Sequence, residues 1–308
     1  MVAAQEQVVD VEGRRLVLRR LEKVLYPSTG TTKAEVLTYV STVAPALLAQ
    51  LRDRPLTRKR WVDGVEGPSF FEKNVPRGVP EWVRTVELPV PGSTKDRETV
   101  VFPLVEDLAG LVWLVNLAAL ELHVPQWRVG PRGGVHLPDR LVIDLDPGEG
   151  TALPECAEVA REVRDRLAAD GLTAHPVTSG SKGLQLYART AGEQDADVLR
   201  AYARRLAEDL ERDRPDLVVS RMTKVLRGGK VLLDWSQNNA AKTTIAPYSP
   251  RGRERPCAAA PRRWEELEDP GALRQLTLQE VADRYLADGD LLADLGPAGD
   301  PGPRVPTG

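Results

Sequence analysis

The stretch Leu141-Val-Ile-Asp-Leu-Asp146 decides how the chain is read: a short β-branched and aliphatic run stopped by Pro147-Gly148. Side chains alternate along a strand, so Val142, Asp144 and Asp146 face one way while Leu141, Ile143 and Leu145 face the other. Two carboxylates then leave one face of a strand whose opposite face is apolar. Like charges held together are costly unless a cation neutralises them, and aspartate is a hard oxygen ligand suited to Mg²⁺ or Mn²⁺. An isolated Asp-x-Asp is common, and by itself it reads as two solvent-facing residues before a turn.

A second strand changes that balance. Lys230-Val-Leu-Leu-Asp-Trp235 puts Asp234 after an apolar run in the same kind of position. Three carboxylates on two strands suit a two-metal phosphoryl-transfer site, where one ion activates an attacking 3′-hydroxyl and the other holds a triphosphate and its leaving pyrophosphate. Between these strands lies Thr178-Ser-Gly-Ser-Lys-Gly183, whose glycines let backbone amides approach an anion while Lys182 adds a mobile positive charge. It lacks the Walker A spacing, and alone it reads as a polar hairpin turn. Lys224, Arg227 and Arg251 flank Asp234 in sequence and supply cations for a phosphate cradle.

Outward from these strands, Thr32 and Glu35 form a capping box, followed by helical spacing of apolar residues through 36–51. Residues 104–122 are apolar nearly all round and read as a buried helix. Amphipathic helices are predicted over 154–169 and 196–212, and a helix interrupted by Gly289 over 278–292. Strands are predicted over 172–178 and 184–187, flanking the glycine loop. This alternation indicates an α/β or α+β fold. The chain is read as an N-terminal segment (1–15), a body (16–293) and a Gly/Pro-rich disordered tail (294–308), with no internal repeat.

Composition narrows the function. A formal charge of −3 over 308 residues argues against a global positive field, leaving local basic clusters such as Arg58-Lys59-Arg60. Two cysteines, Cys156 and Cys257, without a CxxC fit a reducing compartment, and three scattered histidines make structural zinc an unexpected feature. No apolar run spans a bilayer and Met1-Val-Ala-Ala-Gln-Glu6 is no signal peptide, so a cytoplasmic protein with no membrane partner is expected. Lys33 falls in the first turn of a helix, whose free amides favour anions, and Lys23 lies nearby in sequence. Phe70 and Phe71 sit in the loop Gly67-Pro-Ser-Phe-Phe-Glu-Lys73, close in sequence to the basic triplet. They suggest a stacking platform for a base, with Phe70 expected buried and Phe71 exposed.

Together these segments resemble the polymerase domain of bacterial ATP-dependent DNA ligase D, in the archaeo-eukaryotic primase superfamily. The resemblance runs from Glu22-Lys-Val-Leu-Tyr-Pro27 to about residue 292. Its most specific pieces are Arg58-Lys-Arg-Trp61, Phe70-Phe-Glu-Lys73, His123-Val-Pro-Gln-Trp127, Asp144-Leu-Asp-Pro-Gly-Glu-Gly150, residues 178–183, Asp234-Trp-Ser-Gln-Asn238 and Lys242-Thr-Thr-Ile-Ala-Pro-Tyr248. It implies a primase-polymerase fold: a catalytic RRM-like β-sheet unit packed with helices, and an N-terminal sub-domain. It implies that Asp144, Asp146 and Asp234 hold the catalytic metals, Mn²⁺ or Mg²⁺. Ser179, Lys182, Gln185, Lys224, Arg227 and Arg251 then handle an incoming NTP or dNTP, with His123 near its sugar or base. Lys23 and Lys33 grip the 5′-phosphate of a DNA end; Arg58, Lys59, Arg60 and Phe71 complete the DNA-binding set.

The implied activity is gap filling and 3′-end extension at double-strand breaks in non-homologous end joining, favouring ribonucleotides, on the nucleoid. Ku and a separate DNA ligase are the implied partners. Lys59-Arg-Trp-Val-Asp-Gly64 lacks the KxDG spacing of an adenylating ligase, and no histidine-rich phosphoesterase module is visible, so a stand-alone polymerase unit is expected. One departure falls at Gly183-Leu-Gln-Leu-Tyr187, where the family commonly has histidine and this chain has Gln185. Glutamine donates to a phosphate oxygen but carries no charge, so slower incorporation or weaker nucleotide binding is expected. The alternatives are an end-binding or bridging module of decayed catalysis and a replicative primase, which de novo initiation would separate from an end-joining enzyme.

Overall fold

The computed structural model describes residues 6–90, 98–296 and 300–307, which divide into two compact units. The first takes in residues up to 124 together with 245–258 and 277–290; the second takes in 125–244, 259–276 and the residues from 291 onward.

In the first unit, β1 (Glu6–Val11) and β2 (Arg14–Arg19) form an antiparallel hairpin, followed by the short pair β3 (Val24–Tyr26) and β4 (Thr31–Thr32). Helix α1 (Lys33–Thr42) starts at the capping box: Thr32 Oγ1 accepts from Glu35 N, and Glu35 accepts from Thr32 N at 2.7 Å. The chain turns by 78° into α2 (Ala44–Leu51), so the single helix predicted over 36–51 is two. Pro45, in the first turn of α2, has no amide hydrogen to continue the preceding ladder. Next come β5 (Thr57–Arg60), β6 (Phe70–Glu72), β7 (Thr85–Pro89), β8 (Thr99–Pro103), α3 (Leu108–Asn116) and β9 (Ala119–Val124). The buried helix predicted over 104–122 is therefore a helix and a strand. Ala118, at φ 61°, breaks the helix, and an apolar run of this kind does not distinguish the two by periodicity. Strands β6, β5 and β9 pair antiparallel in that order, and α1 packs on α3.

The second unit is built around β10 (Arg140–Pro147). It continues through α4 (Leu153–Ala169), β11 (Ala174–Thr178), β12 (Leu184–Arg189), α5 (Ala196–Asp213), β13 (Val218–Val219) and β14 (Val231–Asp234). After β15 (Thr244–Ile245), β16 (Ala260–Pro261) completes a six-stranded sheet of order β13-β14-β10-β12-β11-β16. The run β10-α4-β11-β12-α5-β14 is a βαββαβ unit whose neighbouring main strands are antiparallel, the arrangement of an RRM-like sheet. Helix α6 (Leu278–Asp288), capped by Thr277 and Glu280, belongs to the first unit and packs on α1.

The strand alternation sets the layers. Leu141, Ile143 and Leu145 of β10, Leu184 and Leu186 of β12, and Val231 and Leu233 of β14 share one core with the apolar stripes of α4 and α5. Both helices thus cover one face of the sheet, and the residues between these positions, Asp144, Gln185 and Asp234 among them, occupy the other.

The tail departs from expectation over 294–296 and 300–307; residues 297–299 and 308 lie outside the described residues. Residues 293–295 form a 3-10 turn, and Val305 is buried in the second unit's core. Its N–H donates to Gln194 Oε1 (2.7 Å) and its carbonyl accepts from Gln194 Nε2 (2.9 Å). One buried valine and a side-chain amide that pairs like a strand order a segment whose composition reads as linker.

Candidate active site

Antiparallel pairing fixes the acidic face of the second unit. Asp144 of β10 stands opposite Asp234 of β14 on one side and opposite Gln185 of β12 on the other. Directly opposed Cα atoms lie about 4.5–5.5 Å apart in such ladders, so the two aspartates share one rung of the sheet. Asp144 and Asp234 are 9% and 8% exposed; Asp146, at the strand end on the same face, is exposed. Burial of both raises the cost of their charge and thereby the need for compensation.

Much of that compensation is visible. Gln185 Nε2 donates to Asp144 Oδ1 (3.2 Å), and Gln185 Oε1 accepts from the Tyr187 hydroxyl (2.9 Å). Asp234 caps its own 3-10 turn: Oδ1 accepts from the Ser236 amide (2.9 Å) and hydroxyl (2.5 Å), and Oδ2 from Gln237 Nε2 (3.0 Å). Lys242 Nζ lies 4.0 Å from Asp234 Oδ2 and donates to the Ser236 hydroxyl. The turn is locked to β10 by Asn238, whose Oδ1 accepts from Val142 N (3.0 Å) and whose Nδ2 donates to Val142 O (2.7 Å).

By donor chemistry and register, Asp144 and Asp234 fit a hard divalent cation, with Asp146 as a further carboxylate on the same face. The side chains are not gathered into one ligand set: among the described residues, no group of three His, Cys, Asp or Glu is arranged to hold a metal. The reason is local, since both Asp234 oxygens are engaged by the turn that follows the strand.

The glycine loop between β11 and β12 closes on itself, with Ser179 N donating to Gly183 O (3.0 Å). Gly180 N, expected to face an anion, donates to Gln275 Oε1 (2.7 Å), and Gln275 Nε2 returns to Gly183 O (3.0 Å). Gly183 is required by packing, since a Cβ there would lie 2.1 Å from Leu145 O. Ser179 is buried, while Lys182 and Lys224 are exposed. Arg227 is half-buried and donates to Met222 O.

The other predicted residues fall in the first unit. Across β6, β5 and β9, Phe71, Lys59 and Glu121 share a rung, with His123 one step further on the same face. The Phe71 and His123 rings meet edge to face at 5.6 Å, and Lys59 Nζ sits 4.7 Å from the Trp61 ring. Glu121 Oε2 lies 3.0 Å from His123 Nε2, and Oε1 lies 3.4 Å from Arg251 Nε and accepts from Gly252 N at 3.2 Å. Burial raises the Glu121 pKa, but the hydrogen bond with His123 and the charges of Arg251, His123 and Lys59 outweigh it and hold the carboxyl at about 2. Burial lowers the His123 pKa and prevails over the opposing pull of Glu121.

One expectation is corrected here, and three basic residues of the expected DNA-binding set lie deeper than a surface run would. Phe70 is exposed, like Phe71, because β6 is an edge strand. Arg58, expected in the DNA-binding set, is buried: it is 1% exposed, pairs with Glu72 at 2.8 Å and donates to Asn74 O. Arg60 is half-buried and bonds Leu117 O and both oxygens of Glu72. Lys33 is likewise drawn inward, its ammonium bonding Arg19 O (2.8 Å) and Asn116 O (3.0 Å). Burial, then the charges of Lys23 and Arg20, lower it to about 8. Lys23 pairs with Asp63 at 3.1 Å. Sequence reading missed the roles of Glu121, Asn238 and Gln275, since most of their partners are distant in sequence.

The comparisons with known proteins agree with this architecture. Residues 32–292 match the family model described as LigD, primase-polymerase domain. The chain is 49% identical over 287 residues to the multifunctional non-homologous end joining DNA repair protein LigD of Mycobacterium tuberculosis, covering 92% of this chain and 37% of that protein. It is 32% identical to the bifunctional non-homologous end joining protein LigD of Bacillus subtilis, over 89% of this chain and 43% of that one. The chain thus spans under half the length of these relatives. Among solved structures, the polymerase domain from Mycobacterium tuberculosis ligase D in complex with DNA superposes with a TM-score of 0.86 at 47% identity, covering 93% of this chain and 99% of that one.

Asn238→Ala should remove both bonds to Val142 and lower the unfolding free energy by about 2–4 kcal/mol in urea titration, as buried polar groups lose partners. A loss below ~1 kcal/mol would show that this amide does not fasten the Asp234 turn to β10.

Proposed function

The chain belongs to the LigD primase-polymerase domain family, and from that premise we propose that it is a metal-dependent nucleotidyltransferase extending 3′ ends at DNA double-strand breaks. The observation that carries this reading is the shared rung of Asp144 and Asp234, with Asp146 on the same face. A bound divalent cation, Mn²⁺ or Mg²⁺, would lower the pKa of the attacking hydroxyl and neutralise charge on the triphosphate. Asp144 and Asp234 are the residues that would hold it, joined by Asp146. Gln185 fixes the Asp144 carboxylate, and Lys242 offsets charge beside Asp234.

On this reading, Lys182, Lys224, Arg227 and Arg251 receive the triphosphate, Ser179 and His123 handle its sugar or base, and exposed Phe71 offers a face for stacking. The substrates are NTPs or dNTPs, with ribonucleotides favoured, and DNA ends with a 5′-phosphate. Ku and a DNA ligase are the proposed partners, and the nucleoid is the proposed place of action. Among the described residues, no single helix is long and apolar enough to cross a membrane.

Asp144→Ala or Asp234→Ala should abolish primer extension on a gapped duplex, by at least about a hundredfold, while leaving fold and DNA-end binding intact. Appreciable residual extension by either purified variant removes that aspartate from the mechanism. The Lys23 and Lys33 pair adds a pH test. Lys33 is charged below about 8 and neutral above. The preference for 5′-phosphorylated over 5′-hydroxyl ends should therefore fall between about pH 7 and about pH 9, measured by fluorescence anisotropy. A preference that stays flat over that range would contradict a role for the Lys33 charge.

A further inference from the structure

Glu121 is 3% exposed, deeper than either Asp144 or Asp234, and the proposed transfer chemistry gives it no role. Its strand explains how a carboxylate comes to lie there. Along β9, Leu120, Leu122 and Val124 point into the apolar interior, which leaves Glu121 and His123 together on the opposite face. A buried charge of this kind persists only when it is paired and hydrogen-bonded. Here each carboxylate oxygen has its own work. Oε2 faces His123 Nε2 at 3.0 Å; Oε1 accepts from Gly252 N at 3.2 Å and lies 3.4 Å from Arg251 Nε.

The segment carrying Arg251 is also held from behind. Gly252 packs against the Trp61 ring so closely that a Cβ would lie 2.3 Å from its carbons. The Tyr26 hydroxyl donates to Arg251 O at 2.8 Å. The backbone at 251–252 is thus fixed on one side by an aromatic wall and on the other by Glu121.

We infer that Glu121 is a positioning residue for nucleotide binding: its carboxylate sets the tautomer of the His123 ring and the direction of the Arg251 guanidinium. The inference rests on the proposed nucleotidyltransferase reading, which puts both side chains at the incoming nucleotide. An ionised carboxylate only accepts hydrogen bonds, so the proton of a neutral His123 sits on Nε2 and Nδ1 presents a lone pair. Such a ring takes a hydroxyl or N–H donor, as a sugar or base supplies, while Arg251 takes an anionic oxygen. Glu121 thereby makes one acceptor and one cation available in fixed relation. An apolar residue at 121 would leave the ring free to change tautomer and take one anchor from the guanidinium.

The test is Glu121→Gln, which keeps size and one carbonyl oxygen but removes the charge, with Glu121→Asp as a second variant should the first fail to fold. Four quantities are read on the whole chain: nucleotide Kd by calorimetry, the His123 ring ¹⁵N shifts, affinity for 5′-phosphorylated DNA, and the thermal unfolding midpoint. The wild-type ring should show one Nε2–H tautomer. Glu121→Gln should shift the ring signals toward a tautomer mixture and weaken nucleotide binding about ten- to a hundredfold, the loss of a charge-assisted contact, with DNA-end affinity unchanged. Unchanged ring signals or an unchanged nucleotide Kd would overturn the inference. A parallel loss of end affinity and thermal stability would also overturn it, by reducing Glu121 to a fold-stabilising residue. A wild-type chain that binds nucleotide but extends no primer would sink the nucleotidyltransferase reading alone, and the Glu121 measurements would still decide this one.

Discussion

Asp144 and Asp234 stand opposite each other on adjacent antiparallel strands, both nearly withdrawn from water. Like charges so placed repel more strongly out of water than in it. A fold that stores such a pair must compensate it, and much of the second unit follows from how it does so. The core helices α4 and α5 are both on the far face, where Leu141, Ile143 and Leu145 lie. The near face carries donors: Gln185 to Asp144, and Ser236 and Gln237 to Asp234, with Lys242 beside them. Asn238 then fastens this donor-bearing turn to the strand whose charge it offsets.

The first unit repeats the logic with the opposite balance. There a single buried carboxylate, Glu121, is surrounded by His123, Arg251 and Lys59, and the surplus of positive charge holds it ionised. In the second unit the acidic groups outnumber the cations on their rung; in the first the cations outnumber the acid. An excess of carboxylate oxygens suits a hard divalent cation, and an excess of cationic side chains suits an anionic oxygen. Lys33 follows the same rule: burial beside Lys23 and Arg20 makes its charge expensive, and an anion would relieve that cost.

The legible parts of the fold were those set by short-range pattern. Alternation in Leu141-Val-Ile-Asp-Leu-Asp146 placed the acidic face, and amphipathic spacing placed α4 and α5 to within a residue or so. The capping box at Thr32 located the start of α1. Failures came where tertiary context overrides local signal. Residues 104–122 are apolar nearly all round, so periodicity does not separate α3 from the strand that follows the positive φ of Ala118. Arg58 and Arg60 look like a basic surface run, yet Glu72 on the neighbouring strand draws both inward. Val305 sits in a Gly/Pro-rich stretch and is ordered by Gln194, more than a hundred residues away. Glu121 carried a weak signal of its own, an acid two positions before His123 in an otherwise apolar strand. The residue types of the candidate site were readable; which oxygen meets which donor was not.

Direct titration of Mn²⁺ into the wild-type chain and into Asp144→Ala and Asp234→Ala, followed by electron paramagnetic resonance, tests whether the opposed aspartates share a cation. The wild type should bind Mn²⁺, and each variant should bind it at least about tenfold more weakly. Equal Mn²⁺ affinity in the wild type and the Asp234→Ala variant would contradict a shared cation, by leaving β14 outside the metal site.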